Sequence, residues 1–333
     1  MSNMEIQGGQ TRYEIINYLK GFSILTIAVM HLLQNYQIPA IVGKFLPLGG
    51  TGVHIFFFCS GFGLCLSQCR RELTYLEFMK KRFLKIYLPY IAIVFILFFI
   101  PFTFDGSFTE RLVALASHVF LFKMFIPSLE CSFSYPLWYM STLFQFYFLF
   151  IPLYKLKKKM GRRNFLIASV IISIFWWIFT AFAGLSEERI WGSFFLQYLW
   201  EFALGMYISE RLNNGESIKL RIVYLISIAL GGLAIGGIIG IKGGIFKVFN
   251  DVFLMFGYGA MALLISVFVK IYKTICIKVN NISYELYLVH ATCFSIVVFI
   301  LKDNLPNVLS MIISLIFSFV VALIYHTMIK KIN

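Results

Sequence analysis

Ten apolar runs, each long enough to cross a lipid bilayer as a helix, leave this 333-residue chain almost nothing to fold in water. They fall near residues 13–33, 50–69, 86–104, 136–154, 165–184, 191–209, 221–241, 249–269, 281–301 and 307–328. Sixty per cent of the residues are hydrophobic and 13% are charged, so the solvent for most of the surface must be lipid. In hydrocarbon each backbone polar group needs a partner within its own segment, which makes the runs helices. The expected fold is all-α: a polytopic transmembrane helix bundle forming a single integral membrane domain over 1–333, with about ten spanning helices plus one external or re-entrant segment. The polar start, Met1 to Gln10, has no basic stretch leading into a short apolar run, so a cleaved signal peptide is not expected.

Charge placement orders the spans. An eleventh run, Arg111 to Ile126, is shorter and holds His118 and Lys123. If it crossed, the two heaviest basic clusters would face opposite sides. Those clusters are Arg70, Arg71, Lys80, Lys81, Arg82 and Lys85, and then Lys155, Lys157, Lys158, Lys159, Arg162 and Arg163. If it does not cross, they share one side with Arg12, Lys20, Arg211, Lys219, Arg221, Lys270, Lys273, Lys278, Lys330 and Lys331. That side then holds 22 of the 29 basic residues. The positive-inside rule favours ten spans with both termini cytoplasmic, and 105–135 as the external or re-entrant element. The net charge of +14 is thus a topology signal and not a nucleic-acid footprint. Six cysteines without a Cys-x-x-Cys pair, five of them in or beside apolar segments, predict neither disulfides nor a metal site.

Ionisable groups inside spans are costly and mark candidate sites. Here they are Lys20, His31, His54, Glu201, Asp251, Glu285, His290 and His326. Lys20 and His31 lie eleven residues apart on the first helix, which returns to within about 20° of the same direction and separates them by about 16 Å. That spacing predicts a groove with a cation toward one end and an imidazole toward the other. Glu201, mid-span in LWEFALG, needs a partner, either a histidine or Lys20. His290 is read as pointing inward and Glu285 as near the cytoplasmic interface. His54, His118 and His326 are read as satisfied structural histidines, and Asp251 as interfacial. The segment GGTGVHIFFFCSGFG, 49–63, is glycine-rich enough for close helix approach or a broken helix.

In order along the chain these segments resemble the acyltransferase 3 family of bacterial membrane acyltransferases. The family's first span has an Arg, ten residues, then a His; this chain has Lys20 and His31 in NYLKGFSILTIAVMHLL. The Gly-Val…Phe-Phe…Ser-Gly-Phe pattern is matched by Gly52, Val53, Phe56, Phe57, Ser60, Gly61 and Phe62, and the basic Pro-containing segment by KKRFLKIYLPY with Arg82, Lys85 and Tyr87. Trp138 with Gln145, Phe146 and Tyr147, then Glu201, Phe202 and Gly205, and finally the Ile-Ser-Tyr element ending at His290 complete the likeness. The departures are Lys20 for Arg, which loses the guanidinium fork, His54 where many members have Asp, and Leu143 and Phe144 where many have a Glu pair. The resemblance implies an O-acyltransferase of the bacterial cytoplasmic membrane that uses acyl-CoA, most commonly acetyl-CoA, as co-substrate with no bound cofactor. Its acceptor would be a sugar hydroxyl of a surface or secreted glycan. It implies His31 as general base, with Lys20, Glu201 and His290 in the catalytic set, and Lys20, Arg82, Lys85, Tyr87 and Ser60 around the donor. Both direct transfer and an acyl-histidine route are compatible with it. The competing class is a glycan transporter or flippase without chemistry, for which ten spans with buried charges also suffice.

Overall fold

The structure, a computed structural model, describes residues 3–6, 10–301 and 305–332. Most of the polar start read as lacking a signal peptide, and the side chain of Arg12, lie outside the described residues. Helices dominate, in chain order α1 (Gln10–Leu33), α2 (Ala40–Phe45), α3 (Gly52–Arg70), α4 (Tyr75–Arg82) and α5 (Leu88–Phe98). Then come α6 (Phe108–Val119), α7 (Trp138–Met160), α8 (Arg162–Phe182), α9 (Arg189–Gly192) and α10 (Phe195–Asn213). The last are α11 (Ile222–Lys242), α12 (Asn250–Phe268), α13 (Lys270–Val279), α14 (Ser283–Leu301) and α15 (Asn307–Ile332). Two four-residue strands, β1 (Asn3–Ile6) and β2 (Ile218–Arg221), pair antiparallel with Asn3 opposite Arg221.

Among the described residues, seven helical segments are long and apolar enough to cross a membrane. The chain is a multi-pass membrane protein with an all-α bundle, and the count of ten spans is only partly matched. The other three expected crossings are helical too, but one is shorter and two carry more charge. Run 86–104 becomes the eleven-residue α5, entered through a π-helical turn at Phe83–Tyr87. Run 136–154 continues as α7 into Lys155, Lys157, Lys158 and Lys159, and run 191–209 becomes α10 with Glu201, Glu210 and Arg211.

Ion pairs show which loops meet. At one end Lys158 pairs with Glu72, Lys157 with Glu210, Arg162 and Arg211 with Glu216, and Lys273 with Glu14. The loops after α3, α7, α10 and α12 therefore gather at a single basic end. α5 then leads away from that end and α7 returns to it, so 99–137 connects them at the opposite end of the bundle. Arg111 fixes this return. Its guanidinium donates to the carbonyls of Phe98 (2.6 Å), Phe104 (2.9 Å) and Ile100, which closes the open C-terminus of α5.

Glycine sets the closest crossing. A Cβ at Gly61 of α3 would run into the Phe202 carbonyl, and one at Gly205 of α10 into that of Phe58. Backbone contact at this pair holds α3 against α10, and with them His54 beside Glu201. Gly61→Ala is expected to destabilise the detergent-solubilised protein by about 1–3 kcal/mol through overpacking. Gly63→Ala, with nothing within 4 Å of its added carbon, should leave the melting temperature unchanged or raise it. Equal melting curves for the two variants would refute the crossing.

Candidate active site

Two adjoining cavities of about 300 Å³ each lie at the end of the bundle opposite the basic loops, and His31 lines both. Its Nδ1 is 2.8 Å from Nε2 of His290, and the rings lie within 17° of parallel. His290 is fully buried, and its Nδ1 lies 2.8 and 2.9 Å from the carbonyls of Leu286 and Tyr287. A carbonyl only accepts, so His290 Nδ1 carries a proton. Among the described residues no carboxylate accompanies this pair, and an uncompensated cation beside the buried His290 would be costly. His290 is therefore neutral with a bare Nε2, His31 donates through Nδ1, and the lone pair of His31 rests on Nε2 at the cavity.

One of the two cavities is also lined by His54. Its Nδ1 is 2.7 Å from Glu201 Oε1 and its Nε2 is 3.5 Å from Asp251 Oδ1. Gln197 Nε2 donates to the other Asp251 oxygen at 2.7 Å. Glu201 is fully buried and its Oε2 has no hydrogen-bond partner. The ligand atoms of His54, Glu201 and Asp251 lie within 4.8 Å of one another, a set chemically able to hold a cation. The geometry is nonetheless that of an imidazolium between two carboxylates, one per ring nitrogen, whereas a metal would gather both oxygens around one nitrogen.

Sequence and structure part over several residues. Glu201 meets His54 and not His31 or Lys20, so orienting His31 falls to His290. Lys20 lines neither cavity, and the expected shared groove does not form. At its level the helices pack too tightly, with Gly21 against the Cys276 carbonyl and Tyr18 donating to the Ala262 carbonyl at 2.7 Å. Arg82 stacks over Phe78 and Tyr147 at 5.2 and 5.8 Å, with a buried, unpartnered Nε, while Lys85 is exposed. Tyr87 donates to the Val119 carbonyl (2.5 Å), and Ser60 lies beside Tyr139, which lines the His54 cavity. Nearer the histidines, Tyr284 lies against Tyr287 and Tyr287 against His290. His118 is satisfied between Tyr90 and Ser132, and His326 pairs with Glu285 at 2.9 Å; both are structural pins.

His54 and Asp251, flagged in the sequence as costly ionisable groups but read as structural and interfacial, belong to this site, and Lys123, noted only as part of the short run, supports it. The first two needed the α3–α10–α12 contact to be visible. Lys123, fully buried, donates to the carbonyls of Ser132 and Ser134, each at 2.9 Å. These flank Phe133, which holds a left-handed φ of 58°. Burial pulls the Lys123 ammonium down to about 7, against the opposing pull of Cys131 and Glu130. The clamped stretch leads straight into Tyr135 and Pro136, the shared wall of both cavities.

A family model described as an acyltransferase domain matches residues 13–327, nearly the whole chain. No curated protein and no solved structure matches it.

Proposed function

The chain belongs to the acyltransferase 3 family and is a membrane acyltransferase, and from that premise we propose that it moves an acyl group, most simply acetyl, from acyl-CoA to a sugar hydroxyl of a surface or secreted glycan. The observation that carries this reading is the bare Nε2 of His31 on a cavity wall, with its tautomer set through His290 by two backbone carbonyls. A hydroxyl is a weak nucleophile at neutral pH and needs such a base.

In the proposed step the acceptor oxygen attacks the thioester carbonyl while its proton passes to His31 Nε2. The new C–O bond forms, the C–S bond breaks, and the departing thiolate takes that proton, which returns His31 to its starting state. His290 needs no charge change, because its Nε2 keeps the hydrogen bond throughout. Direct transfer is favoured over an acyl-histidine route, since the free nitrogen is poised for proton transfer and the other imidazole of the cavity, His54, faces a carboxylate at each ring nitrogen. The transporter alternative gives way to the family assignment.

The donor enters from the basic end, which faces the cytoplasm of a bacterial cell in this reading. Arg82, its face covered by two rings and its Nε unpartnered, binds the CoA phosphates with Lys85, and Lys20 adds positive potential. The thioester arm extends from there toward His31. A charge-assisted hydrogen bond is worth about 1.5–3 kcal/mol, so Arg82→Gln should raise the KM for acyl-CoA by about tenfold or more with kcat largely kept. The assay is release of free CoA by the detergent-purified protein given donor and acceptor. No release under any donor–acceptor pair would sink the reading, and an unchanged KM would remove Arg82 from the donor site.

A further inference from the structure

Arg189 lies in the short α9 between α8 and α10 and lines the cavity shared by His31 and His54. Its guanidinium rests over the Trp138 ring at 4.7 Å and the Tyr135 ring at 5.0 Å. Both rings belong to the same cavity wall. The carboxylates nearby are engaged elsewhere. Glu187 binds Lys247 (2.5 Å) and the Gly244 N–H (2.8 Å), and Glu188 accepts from Trp191 Nε1 at 3.1 Å. Asp251, on the same cavity, accepts from Gln197 and faces His54. Among the described residues Arg189 makes no ion pair and no hydrogen bond.

A guanidinium stacked on aromatic faces keeps its in-plane N–H fork free, and that fork matches a carboxylate or phosphate bidentately. Ring stacking has already restricted the side chain, so an incoming anion meets a preorganised donor. Across the same cavity the Asp251 carboxylate repels a second anion but accepts from hydroxyls, which gives a bound sugar one orientation. We propose that Arg189 recognises the acceptor and that the acceptor is an acidic sugar, bearing a carboxylate or a phosphate. This deepens the acyltransferase reading and rests on it for the word acceptor, though the binding itself does not need His31.

The test uses the full chain in detergent and saturation-transfer NMR with three matched probes: methyl glucoside, methyl glucuronide and methyl glucoside 6-phosphate. The wild type should bind at least one acidic probe about tenfold or more tightly than the neutral one, and the stronger of the two identifies the acid. Arg189→Gln should erase that preference while binding methyl glucoside as before, and Arg189→Lys should keep part of it. Equal binding of all three probes by the wild type would overturn the proposal. So would an Arg189→Gln variant that weakens the neutral probe as much as the acidic ones, since that marks Arg189 as a mere support for Trp138. Free-CoA release separates the two readings. Release with no acid preference in binding leaves the acyltransferase reading and removes the subsite. Acid-selective binding without release does the reverse.

Discussion

His31→Ala is expected to lower acyl transfer by about 10²–10⁴-fold, the usual contribution of a positioned general base, while the variant still inserts and still binds donor. The expectation follows from placement. His31 closes the last turn of α1, where its side chain reaches the junction of two cavities. Its backbone is held independently, by Asn35 Nδ2 donating to the His31 carbonyl at 2.7 Å. Truncation therefore removes the base without loosening the helix end. Loss of the imidazole leaves His290 Nε2 unpaired, a cost of about 1–3 kcal/mol in stability that a small drop in melting temperature would report. His31→Gln separates the two effects, since an amide N–H can still donate to His290 but offers no basic nitrogen. Transfer should be lost in both variants and stability restored in the second. A properly inserted His31→Ala protein that releases CoA at the wild-type rate would sink the base assignment.

How far the site could be read from the sequence depended on the range of the contacts. Spacing along one helix showed that Lys20 and His31 share a direction, and the two do lie on one helix, α1. It could not show that Gly21 packs so closely on Cys276 that no groove opens beside Lys20. His290 read as inward-facing from its place in ISYELYLVH, yet the pairing with His31 spans 259 residues and depends on α1 lying against α14. Glu201 announced itself as a carboxylate that needs a partner. Which partner was decided by Gly61 and Gly205, whose missing side chains bring α3 and α10 into backbone contact and place His54 there instead of His31. Arg189 and Lys123 carry no sequence signal of their own. One is a lone arginine in a short turn and the other a lysine in a run too short to span, and only the folded wall gives them a task. The positive-inside count reads a sum over loops and not a contact, so it groups loops without saying which residues meet. The gathered ion pairs at the basic end show the same grouping.

The histidine pair makes a second demand that can be measured apart from the first. His290→Phe keeps the ring volume in a fully buried position but presents no acceptor to His31 Nδ1. The His31 proton then gains nothing by staying on Nδ1, and the tautomer with a bare Nδ1 becomes equally accessible. In that form Nε2 carries a hydrogen and cannot take one from the acceptor. The imidazole also loses the bond that fixes its ring plane. Together these should lower transfer by about 10²-fold, the lower end of what a positioned base contributes. His290→Gln is the control, because its amide oxygen can occupy roughly the position of Nε2 and accept from His31. Recovery of transfer in His290→Gln, with both variants melting alike, would establish His290 as a positioning residue acting through His31. A helix pin would behave differently, since phenylalanine fills the core at least as well as glutamine. If the Phe variant kept full activity, the tautomer argument would fail and the lone pair of His31 would have to be directed by some other contact.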